Sequence, residues 1–386
     1  MIGPVRIKLC IAAVALIKSA GMNFLARQKK LREHLATTRF DALLVSHLPN
    51  VRYLCGFTGS SGLLLVEAAG CQFLTDARYD MQAHDEVVGA KVVISRRNIV
   101  TEMAGRLGRR KGAGRRAPRK TLGIEADHVT AAERKQLASL LRSSRGLRDT
   151  TGLVEDARMV KDKDELDCIR KAVRVGAGLF ERALQVIRPK VKEVEVAAEM
   201  EYAARMAGAE EMSFPTIIAS GARSALPHGR ASEEEIKPGG FVVCDWGVIL
   251  SGYCSDQTRT VWVGPIENDA RAAYDAVLEA QQAAVDAVKP GATVGEVDSA
   301  ARKVLRKAGL GRYFTHSTGH GVGIEIHESP RVAAGLVQEL RPGMVITIEP
   351  GVYLPGKWGV RIEDMVVVTD RGREVLTPTS KELVVL

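Results

Sequence analysis

Phe241 to Val263 reads FVVCDWGVILSGYCSDQTRTVWV, two β-rich runs on either side of a turn at about Leu250 to Gly252. Such a pattern is a hairpin. Its aspartates, Asp245 and Asp256, lie on opposite arms and interrupt strongly apolar surroundings. A turn centred between Leu250 and Ser251 puts them nearly opposite each other, about 4.5–5.5 Å apart at Cβ, where two like charges cost stability unless a cation lies between them. The pattern recurs near the C-terminus. MVITIEP and GVRIEDMVVV flank the turn Leu354 to Lys357, and equal counting from Gly356 reaches Glu349 on one arm and Glu363 on the other. Two alternatives stay open there: Glu363 pairs with Arg361, or Asp364 is the inward member.

Between the hairpins runs HSTGHGVGIEIHESPRV, with His316, His320 and His327 close together. Gly319, Gly321 and Gly323 permit backbone approaches that bulkier residues forbid. A lone histidine is more often a satisfied loop residue, and for His316 that reading is preferred; the clustering lowers it for His320 and His327. Four carboxylates with one histidine form a hard donor set suited to Mn²⁺, Co²⁺, Fe²⁺ or Zn²⁺ in a two-metal site and unsuited to a structural thiolate zinc. Mn²⁺ is favoured. Two such ions lower the pKa of a shared water and clamp a scissile carbonyl, which is hydrolysis without a covalent intermediate.

The chain of 386 residues is long for one core, so two domains are expected. Residues 22–155 alternate short β-type runs (Ala42–Val45, Gly62–Val66, Cys71–Leu74, Lys91–Ser95, Leu122–Glu125) with helical ones (Phe24–Ala36, Ala77–Glu86, Ile99–Leu107, Thr130–Leu141), the pattern of an α/β domain. Its histidines, His34, His47, His84 and His128, are scattered and read as structural or surface residues. Glu155 to Asp167 is polar and charge-rich and reads as a linker. Residues 156–386 then combine helices Glu165–Ile187, Val194–Met206, Ala270–Val288 and Val294–Ala308 with strands, an α+β domain.

Hydrophobic residues at 46% and charged residues at 26% describe an ordinary globular chain, which excludes collagen, coiled coil and low complexity. Much of the net charge of +9 sits in Arg106 to Lys120, where Gly and Pro punctuate a basic run that reads as a solvated loop; no nucleic-acid partner is expected. Six cysteines without a CxxC pair fit reduced thiols in a cytoplasmic enzyme. The short apolar run Leu9 to Ile17 is far below the ~20 residues that span a bilayer, so no membrane partner is expected. Residues 1–21 read as an extension outside the fold, with a weak export signal as the alternative.

The motifs DWG, CSDQTRT, TGHGVGIEIHE, ITIEPG and VRIED together resemble the pita-bread metallopeptidases, the family of prolidase, aminopeptidase P, methionine aminopeptidase and metal-free creatinase, over nearly all the chain after Met22. The resemblance implies an α/β N-terminal domain followed by an α+β pita-bread catalytic domain. Asp245 would bind one metal, Asp256 and Glu363 bridge both, and His320 and Glu349 complete the second. Glu349 would also be the general base. His327 resembles the histidine that steadies the tetrahedral intermediate, and His228, in LPHGR, the one that lines the substrate pocket. Arg331 resembles an arginine that holds a dipeptide's carboxylate. Arg361 counts among the substrate-binding candidates, though a place beside the metal carboxylates suits it better. The implied activity is cleavage of N-terminal Xaa-Pro bonds in short peptides by a homodimer, as a dipeptidase or an aminopeptidase. The competing class is a non-catalytic binding protein on the same fold, which has no need of five metal-binding side chains.

Overall fold

The computed structural model describes residues 22–38, 40–108, 121–141 and 146–386. The expected N-terminal extension, Cys10 and most of the basic run lie outside them. The described residues form two compact units that divide between Arg158 and Met159.

In the N-terminal unit a six-stranded mixed sheet runs in the order Ala90–Ser95, Gly70–Asp76, Leu63–Glu67, Ala42–Val45, Leu122–Glu125, Leu147–Thr150. Leu44, Leu65, Leu74, Ile124 and Met103 form its core under the helices. Four elements depart from the sequence expectation. Leu147–Thr150 is an edge strand whose LRDT sequence carries no apolar run. Leu48–Cys55 is a helix, started by Pro49 near its N-terminus, where proline's missing N–H costs nothing, and closed by Gly56 at φ +87°. Ala77–Glu86 opens as a 3₁₀ turn before the helix Asp80–Glu86. The expected linker is folded: it holds a short helix, Glu155–Met159, and the start of Lys163–Val186, whose Asp162 and Glu165 form a capping box. Its charges cap a helix. Two of the four histidines come together: the His47 and His128 rings stack at 3.6 Å and His128 Nε2 lies 2.9 Å from Glu155.

The C-terminal unit contains four long helices, Lys163–Val186, Glu193–Met206, Asn268–Ala287 and Val294–Lys307. They accompany a three-stranded sheet (Gln257–Val263, Gly240–Trp246, Ile217–Ser220), a five-stranded sheet centred on Val345–Ile348, and two smaller ones. Period-two alternation decides which side chains reach the interior of the site. Val242, Cys244 and Trp246 pack into a buried cluster with Phe180, so Asp245 must look out of the other face.

The first hairpin differs in register from expectation. Asp245 pairs with Thr258, not with Asp256, because the two-residue turn is Ser251–Gly252, both at positive φ (+52° and +75°), as a type I′ turn requires. Continuing that register sets Asp256 across from Gly247, on the same face as Asp245 but diagonal to it. The regular ladder breaks at this point, and the gap is narrow: a Cβ on Gly247 would lie 1.9 Å from the Ser255 carbonyl oxygen. Gly247→Ala must therefore push Ser255 and Asp256 aside. Its expected cost is roughly 1–3 kcal/mol, seen as a lowered thermal denaturation midpoint; an unchanged midpoint would show that the break is pliable.

Candidate active site

The second hairpin has the register that equal counting from Gly356 predicts. Ile348 pairs with Asp364 and Gly351 with Arg361, so Glu349 and Glu363 occupy facing positions in the interval between the two ladders. Asp364 turns the other way, to Arg259 (2.8 Å) and Gln281 (2.9 Å). Glu363 accepts from Thr258 Oγ1 at 2.7 Å and is the inward acid.

His320 enters from the short strand Gly319–Gly321. That strand lies so close to its neighbour that a Cβ on Gly319 would stand 1.9 Å from the Thr347 carbonyl oxygen. His320 Nδ1 faces the Gly321 carbonyl oxygen at 3.0 Å, which makes Nδ1 the protonated nitrogen and leaves the Nε2 lone pair free. Nε2 lies 3.5 Å from both Asp256 Oδ2 and Glu349 Oε1. These separations are too long for good hydrogen bonds. Donor atoms of Asp256, His320 and Glu363 all lie within 4.8 Å of one another, the spacing of atoms around a common centre, and no other such group occurs among the described residues.

Arg361 is 3% exposed and spends each nitrogen of its fork on protein groups. Nη2 donates to Asp245 Oδ2 (2.5 Å), Nε to Thr258 Oγ1 (3.0 Å), and Nη1 to Tyr353 Oη (2.7 Å) and the Pro227 carbonyl (3.0 Å). It belongs with the carboxylates, with every one of its nitrogens engaged by the protein. Through Pro227 it also anchors the loop that carries the exposed His228. Asp245 Oδ1, in contrast, is buried and accepts no hydrogen bond. A buried, unpartnered carboxylate oxygen beside three more acids and a free imidazole lone pair fits divalent cations.

Electrostatics agrees. Burial, and then the neighbouring acids, raise Asp256 and Glu363 well above the usual carboxylate range, and burial pushes Glu349 up to about 8. Burial lowers His320 and, with Arg361, brings His316 down to about 4. His327 is lowered by burial and then by His320 and His228, its ring centroid 4.4 Å from that of His320. Arg331 is exposed and pairs with His320 across the ladder, which puts it on the same face.

Sequence reasoning passed over Thr258, Thr347 and Tyr353. Thr347 Oγ1 donates to Glu349 (3.2 Å) and accepts from His320 N–H (3.0 Å); Tyr353 Oη lies 3.0 Å from His316 Nε2. Counting by two along the strands from Asp256 and from Glu349 reaches all three, so the signal was present in the period. His316, set aside as a loop residue, contacts the site through Tyr353.

This fold and acidic cage define a metal-binding hydrolase, and comparison with known proteins gives its family. Residues 167–370 match metallopeptidase family M24, and residues 27–160 match the creatinase/prolidase N-terminal domain. The Xaa-Pro dipeptidase of Pyrococcus horikoshii is 38% identical over 360 residues, spanning 92% of this chain and 98% of that protein. Among solved structures, an Xaa-Pro dipeptidase from Bacillus anthracis superposes with a TM-score of 0.89 at 40% identity, covering 94% of this chain and all of the other. An X-Pro aminopeptidase from Thermotoga maritima superposes at 0.83 with 34% identity, covering 92% and 99%. The chain belongs to metallopeptidase family M24. It is a peptidase, a creatinase-type N-terminal domain followed by a pita-bread catalytic domain.

Cation binding has to displace the protons that burial holds on Asp256, Glu349 and Glu363. A carboxyl whose pKa is raised by folding gives the native state the extra proton, so in chelated protein these groups favour the fold at low pH; Glu349 loses that contribution as pH climbs from the ordinary carboxylate range toward about 8, and Asp256 and Glu363 shift in the same direction. Added Mn²⁺ should therefore raise the melting temperature more at about pH 8 than at about pH 6. Calorimetry in buffers of different ionisation enthalpy should register proton release. Equal shifts at both pH values would mean that the ions displace no protons.

Proposed function

We propose that the chain hydrolyses the N-terminal Xaa-Pro bond of short peptides, with two divalent ions, Mn²⁺ for preference, held by Asp245, Asp256, His320, Glu349 and Glu363. The observation that carries the reading is the buried acidic cage with its unpartnered Asp245 oxygen. When bound, such ions supply Lewis acidity and a more acidic water.

The side chains divide the remaining work. Glu349, positioned by Thr347, takes the proton of the attacking water and returns one to the departing proline nitrogen. His327 steadies the oxygen of the tetrahedral intermediate, and His228 lines the pocket on its other side. Arg361 takes no part in substrate binding and holds Asp245 in place. Arg331 supplies an exposed guanidinium on the His320 face, suited to a free carboxylate immediately beyond the proline. That placement favours a dipeptidase over an aminopeptidase, and the similarity to named dipeptidases along nearly the whole chain agrees. Free thiols at Cys55, Cys71, Cys168, Cys244 and Cys254 support a reducing compartment, and we place the enzyme in the cytoplasm as a homodimer. No helix among the described residues is long and apolar enough to cross a membrane.

Hydrolysis of Ala-Pro and Ala-Pro-Xaa peptides, followed after chelation and re-addition of Mn²⁺, Co²⁺ or Zn²⁺, tests the reading. Chelation should abolish turnover and metal restore it; activity indifferent to thorough chelation would sink the mechanism. Glu349→Ala should lower kcat by at least ~100-fold, and full activity in that variant would remove Glu349 from the general-base role. Arg331→Ala should raise KM for Ala-Pro at least ~10-fold more than for the tripeptide; equal effects would discard the carboxylate clamp.

A further inference from the structure

Lysine keeps its ammonium in water wherever its stem allows, yet the Lys161 side chain is 1% exposed. It donates to Glu328 Oε2 at 3.0 Å, and that carboxylate is itself 6% exposed. A buried pair of this kind recovers little more than its desolvation cost, and well-packed apolar residues often serve stability as well. Its geometry gives it another use. Glu328 Oε1 accepts from the Glu325 N–H at 3.1 Å, so the carboxylate ties the loop Gly323–Glu328 from beneath. The far end of the loop is pinned as well, by the Gly323 N–H to the Glu325 carbonyl (3.0 Å) and by the Cys254 N–H to the Gly323 carbonyl (2.8 Å). A Cβ on Gly323 would stand 2.5 Å from Glu328 Oε2, so the carboxylate lies directly against the backbone of this glycine.

His327 immediately precedes Glu328, the first residue of the strand Glu328–Val332. It closes the bend just before that strand, so anchoring Glu328 limits where the His327 ring can lie, and that ring stands edge-on to His320. Lys161 is fixed in turn: its N–H donates to the Gly343 carbonyl at 2.9 Å, just before the strand Val345–Ile348 that delivers Glu349. We infer that the Lys161–Glu328 ion pair is a positioning device for His327, holding its loop in register with the strand that carries Glu349. The inference rests on the proposed function for the role of His327, while the anchoring of the loop can be measured without it.

The test compares Lys161→Met, Glu328→Gln and the double variant K161M/E328Q, in metal-loaded enzyme with and without His327→Ala. Breaking the pair should lower kcat for Ala-Pro by ~10-fold or more with KM within about twofold and metal content unchanged. In the His327→Ala background the same change should cost less than about twofold. Hydrogen exchange followed by mass spectrometry should show the amides of residues 323–328 exchanging at least ~10-fold faster. Equal kinetic losses in both backgrounds, or unchanged exchange in the loop, would overturn the assignment. Where Lys161→Met or Glu328→Gln alone does not fold, the double variant, which leaves no buried charge unpaired, carries the same measurements. An enzyme inactive on every Xaa-Pro peptide would defeat the functional reading, and the exchange result would still decide whether the pair holds the loop.

Discussion

Four carboxylates, Asp245, Asp256, Glu349 and Glu363, share a largely buried space with one guanidinium, and ionised together they leave three negative charges uncompensated. Burying even one unpaired carboxylate is expensive, and several together are prohibitive without protons or cations. This constraint organises the catalytic unit. It explains why the pKa values of Asp256, Glu349 and Glu363 climb, why Arg361 is spent on Asp245 and the groups around it, and why threonines rather than lysines stand next to Glu349 and Glu363. A lysine within reach of those acids would neutralise them and compete with the ions.

The charge problem is solved by backbone geometry as much as by side chains. Three of the four acids sit at an interruption of a ladder, Asp256 across from Gly247 and Glu349 and Glu363 between the two ladders of the second hairpin, while Asp245 keeps its regular place opposite Thr258. The opposite faces of the same strands are apolar. Val242, Cys244 and Trp246 anchor one arm in a buried cluster, while Ile346 and Ile348 anchor another among Phe241, Trp262 and Tyr274. The carboxylates are thus held by packing that lies behind them, so the repulsion among them cannot be relieved by moving the strands apart. Phe241 and Trp262, edge to face at 4.7 Å, clamp the far end of the first hairpin and add about 0.5–1.5 kcal/mol beyond their burial.

What the sequence made legible follows from the same periodicity. Equal counting across a turn brings Glu349 opposite Glu363, because the whole second hairpin keeps a single register. In the first hairpin the turn was placed one residue early. A non-glycine residue at positive φ, Ser251, is hard to anticipate, and the slip moved Asp256 from a diagonal to a facing position without changing its face. Side-chain face survives an error in the turn centre, since moving the centre by one residue displaces the partner by two. Polar segments were harder. Glu155 to Asp167 looks like a linker because capping residues and linker residues have the same composition, and only the three-residue spacing from Asp162 to Glu165 distinguishes them. Leu147–Thr150 has no apolar alternation and is a strand only because Leu122–Glu125 offers an edge to pair with.

Arg361 shows how a residue type can mislead when its burial is unknown. An arginine beside a carboxylate motif reads equally well as a substrate clamp or as a structural partner, and a guanidinium satisfies both chemistries. The difference lies in how many of its donors are free. All three nitrogens of Arg361 are committed, to Asp245, Thr258, Tyr353 and Pro227, whereas Arg331 stands exposed on the strand that pairs with His320. In the proposed function the two arginines divide the two tasks. The buried one sets the geometry of the acids and of the His228 loop, and the exposed one keeps its charge available for an anion arriving from solvent. Arg361 is held there by its own backbone as well, through Thr260, and at 3% exposure it lies away from solvent.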